Sequence, residues 1–326
     1  MRLFRTLSEM PASLKGGVLA LGNFDGLHLG HQAVLSEAVT CARANGVPGG
    51  VMTFAPHPRL FFKPDQEPFL LSPFRIKARL IAALGLDYLY VQTFDRALSQ
   101  MAAEDFVAQI LVEGLKVSHI VVGYDYVFGH QRKGNVALLN TLSQRYGFGV
   151  TAVGELTRPG GARYSSTNVR NLLKDAQPAE AAKLLGRYWE IEGRVEHGDQ
   201  RGRTLGFPTA NVPYRDYLHP KKGVYAVRAG VDDGAGTVWL DGVANFGNRP
   251  TFDKTDVLLE AHLFDFSGNL YTRHLRVALI DYIRDERKFD GLDALKAQIA
   301  HDSATARDML ARRRFPDGPA PFVAAT

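Results

Sequence analysis

The sequence lacks the features of a secreted, disulfide-bonded or membrane-spanning protein. Cys41 is the only cysteine among 326 residues, so an intramolecular disulfide and a cysteine-based structural zinc site are excluded. No stretch approaches the ~18 consecutive apolar residues of a membrane span. Arg5 and Pro11 interrupt the apolar part of the N-terminus, so we expect no signal peptide. We therefore expect a cytoplasmic protein with no membrane partner.

Long basic runs are also missing, although the formal net charge is +5. That charge is compatible with a nucleic-acid surface or with a preference for small anions. The chain contains no run of five basic residues and no helix-turn-helix or zinc-finger motif. We expect small-molecule substrates and no nucleic-acid partner; a strongly salt-dependent affinity for DNA or RNA would mark the alternative. The sequence does not indicate an oligomeric state.

The first half of the chain alternates between short apolar runs and amphipathic stretches. The runs are GVLALG (17–22), GVMTF (50–54), DYLYVQ (87–92), HIVVGY (119–124) and FGVTAV (148–153). The intervening stretches with helical period cover 31–46, 72–85 and 102–114. Continuously apolar strands that are each followed by a helix predict a doubly wound α/β domain with a parallel sheet.

The pattern changes after PAEAAKLLGRYWE (178–190), where runs of period two follow one another without helices between them. Closely spaced strands of this kind predict an all-β antiparallel barrel or sandwich. One helix over 291–302 closes it. The length of the chain suggests two domains, which we place at 1–185 and 186–326, with a tail that we expect to be mobile from about residue 315.

The stretch GNFDGLHLGH (22–31) combines glycines with two histidines directly after the first strand. In an open α/β sheet, ligands bind beyond the carboxyl ends of the strands where the strand order reverses. The following helix offers free amides and the positive end of its dipole, and His28 and His31 can donate to phosphate oxygens. A zinc site would need further ligands, and the chain has ten histidines and one cysteine to supply them.

Four segments in this order carry a family resemblance: GNFDGLHLGH, TFAPHPR (53–59), VGYDYVFGHQRKGN (122–135) and SSTNVR (165–170). They resemble the nucleotidylyltransferase module of the bacterial bifunctional riboflavin kinase/FAD synthetases. The resemblance implies a Rossmann-like FMN adenylyltransferase over 1–185, in which the FMN phosphate attacks the α-phosphorus of ATP and pyrophosphate leaves. The sequence departs from the family pattern at Tyr126 and Val127.

The resemblance also implies roles for individual residues of this module. His28 and His31 would be catalytic and hold the ATP phosphates. Further ATP-binding residues would be Gly22, Asn23, Phe24, Asp25, Gly30, Ser165, Ser166, Thr167 and Arg170. An apolar wall for the flavin would comprise Phe54, Pro56, His57, Pro58, Phe62 and Phe128.

The second half opens with EGRVEHGDQRGRTLGFPTANV (192–212), a glycine-rich basic segment. Such a loop can bind phosphates through its amides, although glycine-rich loops in β-proteins are often only loops. No GxxxxGK[ST] occurs, so a P-loop is excluded. Together with GVYAVRA (223–229), GVANFGNRPTF (242–252) and EAHLFDF (260–266), the segment resembles riboflavin kinase.

This second resemblance implies a kinase site in an antiparallel barrel over 186–326. Glu260 would be the general base for the riboflavin 5′-hydroxyl, and Thr209 and Asn211 would hold Mg²⁺. ATP or flavin would be bound by Gly198, Gly202, Arg203, Gly206, Pro208, Asn245 and Arg249. Asn269 and Thr272 depart from the family pattern.

The two resemblances predict a bifunctional enzyme that converts riboflavin to FMN and FMN to FAD, with ATP as co-substrate and Mg²⁺ as cofactor. One alternative is a protein that retains only one of these activities. Another is a flavin carrier or regulator without turnover, although binding alone requires no carboxylate base such as Glu260.

Overall fold

The computed structural model describes residues 1–157, 161, 163–197, 206–232, 236–250 and 255–313; for 248–250 and 255–257 it describes the backbone only. The chain forms two compact units. The first contains Met1–Glu67 and Phe74–Tyr164, and the second contains Pro68–Pro73 and the described residues from Ser165 onward. The predicted mobile tail from about residue 315 lies outside the described residues.

The first unit is built around a six-stranded parallel sheet. Its strands are β1 (Arg2–Phe4), β2 (Val18–Leu21), β3 (Gly49–Ala55), β4 (Tyr88–Thr93), β5 (His119–Gly123) and β8 (Gly149–Val153), and a separate two-stranded hairpin consists of β6 (Val127–Phe128) and β7 (Gly134–Asn135). Its helices are α1 (Leu29–Asn45), α2 (Pro58–Phe62), α3 (Phe74–Ala82), α4 (Arg96–Gln100), α5 (Ala103–Asp105) and α6 (Val136–Tyr146).

The order of the strands in this sheet, β1-β4-β3-β2-β5-β8, defines a switch point. From β2 the chain builds outward through β3 and β4 on one side, and then returns to place β5 and β8 on the other. All four residues of β2 are buried, as expected for a strand covered on both faces. The carboxyl ends of β2 and β5 therefore meet at the position where an open α/β sheet binds its ligand.

The second unit contains an antiparallel sheet that nearly closes on itself. Its strands are β9 (Trp189–Arg194), β10 (Ala210–Pro213), β11 (Gly223–Asp232), β12 (Thr237–Pro250), β13 (Thr255–Leu263) and β14 (His274–Arg284), in the order β10-β13-β12-β11-β14-β9. The amide of Glu196 donates to the carbonyl of Asn211 at 2.8 Å, which links the two ends of the sheet. The predicted α/β and antiparallel near-barrel folds are confirmed.

The described residues of the second unit include the helices α7 (Ser166–Lys174), α8 (Pro178–Leu185) and α9 (Leu292–Ala311). The terminal helix α9 packs on the sheet through Ala306 and Leu310, which are both fully buried. The carboxylate of Asp302 on the same helix accepts hydrogen bonds from the guanidinium of Arg284, from Nε at 2.9 and 3.1 Å and from Nη2 at 2.6 Å. The helix is thus held by an apolar cluster and by an ion pair at the end of β14.

The element boundaries differ from the sequence prediction in several places. Helix α3 spans Phe74–Ala82 within the stretch predicted over 72–85, and α9 extends to Ala311 instead of 302. The stretch predicted as one helix over 102–114 begins as α5 and continues as a π-helix over Phe106–Gly114. Within the described residues, no helix is both long enough and apolar enough to cross a bilayer.

Candidate active sites

The loop between β2 and α1 brings the two histidines together. His28 is the N-cap of α1, and its Nδ1 accepts a hydrogen bond from the amide of His31 at 3.3 Å. The two rings stack with 3.7 Å between centroids. Because Nδ1 is the acceptor, a neutral His28 ring carries its proton on Nε2. The predicted pair therefore lies at the start of a helix, next to the switch point.

The backbone of this loop takes a conformation that L-residues rarely adopt. Phe24 and Leu27 have φ of 48° and 43°, although neither is glycine. Both side chains are buried, and the Phe24 ring packs edge-on against His31 at 5.4 Å. A Cβ at Gly22 would lie 2.8 Å from the Phe24 ring, so a larger residue here would require this buried ring to shift. Burial of the two apolar side chains thus holds the loop in its strained shape.

Two charged residues at this loop are buried: Asp25 was predicted to bind ATP, whereas Lys77 was not predicted as a site residue. Asp25 and Lys77 are 2% and 5% exposed, and Lys77 Nζ donates to the carbonyl of Asn23 at 2.7 Å. Thr53 Oγ1 donates to the same carbonyl at 3.2 Å. Lys77 occupies the apolar face of α3 beside Leu80 and Ile81. Because lysine is rarely buried, a lysine at such a position in the helical pattern was the signal in the sequence for a functional role.

Part of the predicted flavin wall forms an aromatic cluster, which also includes two phenylalanines that the sequence analysis missed. Phe94 contacts Phe54, Phe61 and Phe62 with centroid distances of 6.1, 5.4 and 5.8 Å. Phe62 is 63% exposed, which is unusual for so large an apolar side chain. An exposed aromatic surface of this kind suits a flat ring system.

The other predicted wall residues shape the backbone or belong to the core. Pro56 follows a cis peptide bond, His57 caps α2 by accepting from the amide of Arg59 at 3.1 Å, and Pro58 is the first residue of α2. Phe128 is 7% exposed and stacks on Tyr126 at 5.7 Å within the core.

The segment SSTNVR forms the start of α7. Ser165 is its N-cap and accepts from the amide of Asn168 at 3.1 Å, which places Ser166 and Thr167 in the first turn. Arg170 donates through Nε to the carbonyl of Phe69 at 2.8 Å, and its guanidinium lies over the Phe69 ring. The predicted helix start is thus present, and its arginine is held by Pro68–Pro73 within the same unit.

In the near-barrel, three predicted residues lie side by side across neighbouring strands. Glu260 on β13 is in register with Asn211 on β10 and with Asn245 on β12. Residues in direct register project to the same face of an antiparallel sheet. Glu260 is half-buried between the two amides, and Asn245 Nδ2 donates to Glu286 Oε1 at 3.2 Å. A carboxylate on a rigid strand is thus flanked by two carboxamides.

Asn211 presents a buried acceptor next to this carboxylate. Its side chain is 5% exposed, and its Oδ1 accepts no hydrogen bond from the described residues. The preceding Pro208 is fixed because its carbonyl lies 2.9 Å from His262 Nδ1. Thr209, between them, is half-buried. A buried oxygen that accepts no hydrogen bond is costly beside apolar neighbours, whereas it can serve as a ligand to a cation such as Mg²⁺.

Several predicted kinase residues cannot be placed. Gly198, Gly202 and Arg203 lie outside the described residues, as does the side chain of Arg249. Gly206 is described, with a φ of 87° in the left-handed region that favours glycine. Among the described residues, no group of three or more His, Cys, Asp or Glu side chains could hold a metal ion, which leaves the zinc alternative without support there.

The fold and two family models define a two-part transferase. Residues 10–168 match the model described as FAD synthetase, and residues 185–310 match that described as riboflavin kinase. The chain is 44% identical over 309 residues to the bifunctional riboflavin kinase/FMN adenylyltransferase of Escherichia coli K12, covering 94% of this chain and 97% of the relative. The Pseudomonas fluorescens protein of the same name is 41% identical over 312 residues, covering 95% and 98%. The chain belongs to the family of bifunctional riboflavin kinases/FMN adenylyltransferases.

A solved structure extends the likeness to the whole chain. The structure titled as a macrolide-efflux protein from Streptococcus pneumoniae is 30% identical and has a TM-score of 0.81. The match covers 94% of this chain and 98% of that one. The two family models and the relatives of the same name confirm the family resemblance carried by the sequence motifs.

Proposed function

We propose that the chain phosphorylates riboflavin to FMN in its C-terminal part and adenylylates FMN to FAD in its N-terminal part, with ATP as the co-substrate of both steps. We place the boundary between the two modules near residue 185, with 1–185 as the adenylyltransferase and 186–326 as the kinase. The observation that carries the proposal is the pairing of two separate sites with two separate family matches.

In the adenylyltransferase module, the β2–α1 loop binds and orients ATP. His28 and His31 donate to phosphate oxygens, and the free amides at the start of α1 add positive potential. These donors stabilise the charge that develops on the departing pyrophosphate, so no covalent intermediate is needed. The exposed ring of Phe62 and its aromatic neighbours stack on the flavin, which aligns the FMN phosphate with the α-phosphorus.

In the kinase module, Glu260 accepts the proton of the riboflavin 5′-hydroxyl. Positioned proton transfer of this kind contributes roughly 10² to 10⁴-fold in rate. Asn245 and Asn211 flank the carboxylate in register, on the same face of the sheet. Thr209 and Asn211 Oδ1 offer neutral oxygen ligands for Mg²⁺, which, when bound with ATP, neutralises phosphate charge.

A time course tests the assignment of both steps. Purified protein is incubated with riboflavin, ATP and magnesium, and the three flavins are separated by chromatography. We expect FMN to rise first and then to give way to FAD. Accumulation of FMN alone would leave a protein with kinase activity only, and tight flavin binding without turnover would indicate a carrier.

Two substitutions test the division of labour. We expect Glu260→Gln to reduce FMN formation by about 10² to 10⁴-fold while supplied FMN is still converted to FAD. His31→Ala should give the reverse pattern, with normal FMN formation and little FAD. Loss of both activities in a variant with an unchanged circular-dichroism spectrum would contradict two separate sites.

A further inference from the structure

Lys77 is a buried cation that the proposed reaction does not use. It lies on α3 with 5% of its surface exposed, among Ile76, Leu80 and Ile81. Burial lowers the pKa of Lys77, while the charge of Asp25 acts in the opposite direction. An ammonium group is costly to place in an apolar environment. The hydrogen bond from its Nζ to the carbonyl of Asn23 therefore points to a role that an apolar side chain of the same length would not fill.

The carbonyl of Asn23 is held from two elements. Lys77 Nζ on α3 lies at 2.7 Å and Thr53 Oγ1 on β3 at 3.2 Å. The side chain of Asn23 is exposed, whereas its carbonyl is directed inward to these two donors. In a planar trans peptide, the carbonyl and the following amide point in opposite directions. The amide of Phe24 is consequently directed away from Lys77, and among the described residues it donates to no backbone carbonyl.

The peptide between Asn23 and Phe24 needs such a restraint. The positive φ values at Phe24 and Leu27 are costly for non-glycine residues, so this loop conformation persists only where surrounding contacts hold it. Rotation of this one peptide would turn an amide donor away from the site and a carbonyl oxygen toward it. A carbonyl oxygen facing a polyphosphate is repulsive, whereas an amide is attractive.

We infer that Lys77 is a positioning residue for FMN adenylylation: by holding the carbonyl of Asn23, it fixes the Phe24 amide as a donor to a phosphate oxygen of ATP. The inference rests on the proposed adenylyltransferase function of this module. Lys77 acts through the peptide and does not touch the nucleotide, which is consistent with its burial beneath the loop.

The test replaces Lys77 with methionine, which has similar length and no charge. Steady-state kinetics of FAD formation from FMN and ATP are compared with those of Arg75→Met, which removes an exposed cation from the same helix. We expect kcat/KM for ATP to fall by about tenfold to a hundredfold in Lys77→Met, mainly through a higher KM for ATP, as for the loss of a hydrogen bond from a charged group. FMN affinity should not change, and Arg75→Met should behave as the wild type.

A double-mutant cycle tests the route through the carbonyl. Thr53→Val removes the second donor without altering charge, and we expect it alone to have a smaller effect than Lys77→Met. Since either donor partly holds the peptide, the fold-loss of kcat/KM for ATP in the double variant should exceed the product of the fold-losses in the two single variants. Independent, multiplicative losses would overturn the shared action on one carbonyl. If Lys77→Met does not fold, an unchanged KM for ATP in Thr53→Val overturns the inference.

Other outcomes are equally decisive. A Lys77→Met protein with normal FAD formation would refute the inference, and so would a parallel decline of FMN affinity, ATP affinity and melting temperature, which marks a purely structural role. A wild-type protein that makes no FAD would instead refute the proposed function.

Discussion

Gly30 allows a change that should stabilise the protein and slow it at the same time. The residue is in the first turn of α1 and its φ is not in the left-handed region, so alanine is compatible with the backbone. Alanine is favoured over glycine in a helix by up to about 1 kcal/mol. However, its Cβ would lie 3.2 Å from Cε1 and Nδ1 of the His28 ring, which is closer than an ordinary contact.

The ring of His28 must therefore move by a few tenths of an ångström in Gly30→Ala. A displacement of 1 Å at a reacting centre costs about 10²-fold in rate, so the shift expected here costs roughly threefold to tenfold in the rate of FAD formation. The melting temperature should stay the same or rise. Riboflavin phosphorylation, measured in the same preparation, should not change and serves as the internal control.

Calorimetry and the two flavin assays decide this prediction. A variant that is less stable than the wild type would show that the contact with His28 is too tight to relax. A variant with full FAD formation would show that the position of this ring does not limit the reaction. Either result would refute the reasoning from the glycine contact.

The remaining predictions concern stability. Asp302→Ala leaves Arg284 without its buried partner and should lower the free energy of unfolding of the second unit by about 3 kcal/mol. Asp265→Asn removes a charge from an exposed ion pair and should have a much smaller effect. Equal losses of the two variants in urea titrations would contradict this prediction. Burial lowers the pKa of His119, whose Nε2 lies 2.8 Å from Thr151 Oγ1. The unfolded chain then binds the proton more readily, so stability should fall as the pH drops below 6.5 and should fall less in His119→Gln. Identical pH profiles for the two proteins would argue against this assignment.

The sequence predicted those parts of the fold that depend on local periodicity. Strand β3 was expected over 50–54 and is found over Gly49–Ala55, because a run of apolar residues bounded by glycine and proline is a strong local signal. The end of the first helix near residue 46 was readable for the same reason, whereas the helix begins at Leu29, two residues before the predicted start. Strand β1 was missed: it is three residues long and is defined by pairing with a strand more than eighty residues away.

The candidate site was predictable where motifs are contiguous and not where it depends on distant residues. His28 and His31 are close in sequence and stack in space. Phe94 and Lys77 join the same unit from separate elements, and no local pattern connects them to the motifs. Their roles depend on tertiary packing, which overrides local pattern. The positions proposed for individual substrates stay predictions.

The segment Pro68–Pro73 has a consequence for how the gene can be divided. It lies between α2 and α3 in the chain, yet it belongs to the second unit, where Trp189 Nε1 donates to the carbonyl of Leu71 and the amide of Leu218 donates to the carbonyl of Leu70, both at 2.8 Å. Over the residues that the structure describes, the polypeptide therefore crosses from one unit to the other three times, and no single cleavage separates these parts. In a chimaera, everything before residue 165 could be exchanged for the corresponding part of a relative. This exchange would also replace Leu71, whose backbone carbonyl accepts the hydrogen bond from the buried side chain of Trp189. Recombination between family members should accordingly succeed most often when these six residues are inherited together with the C-terminal half.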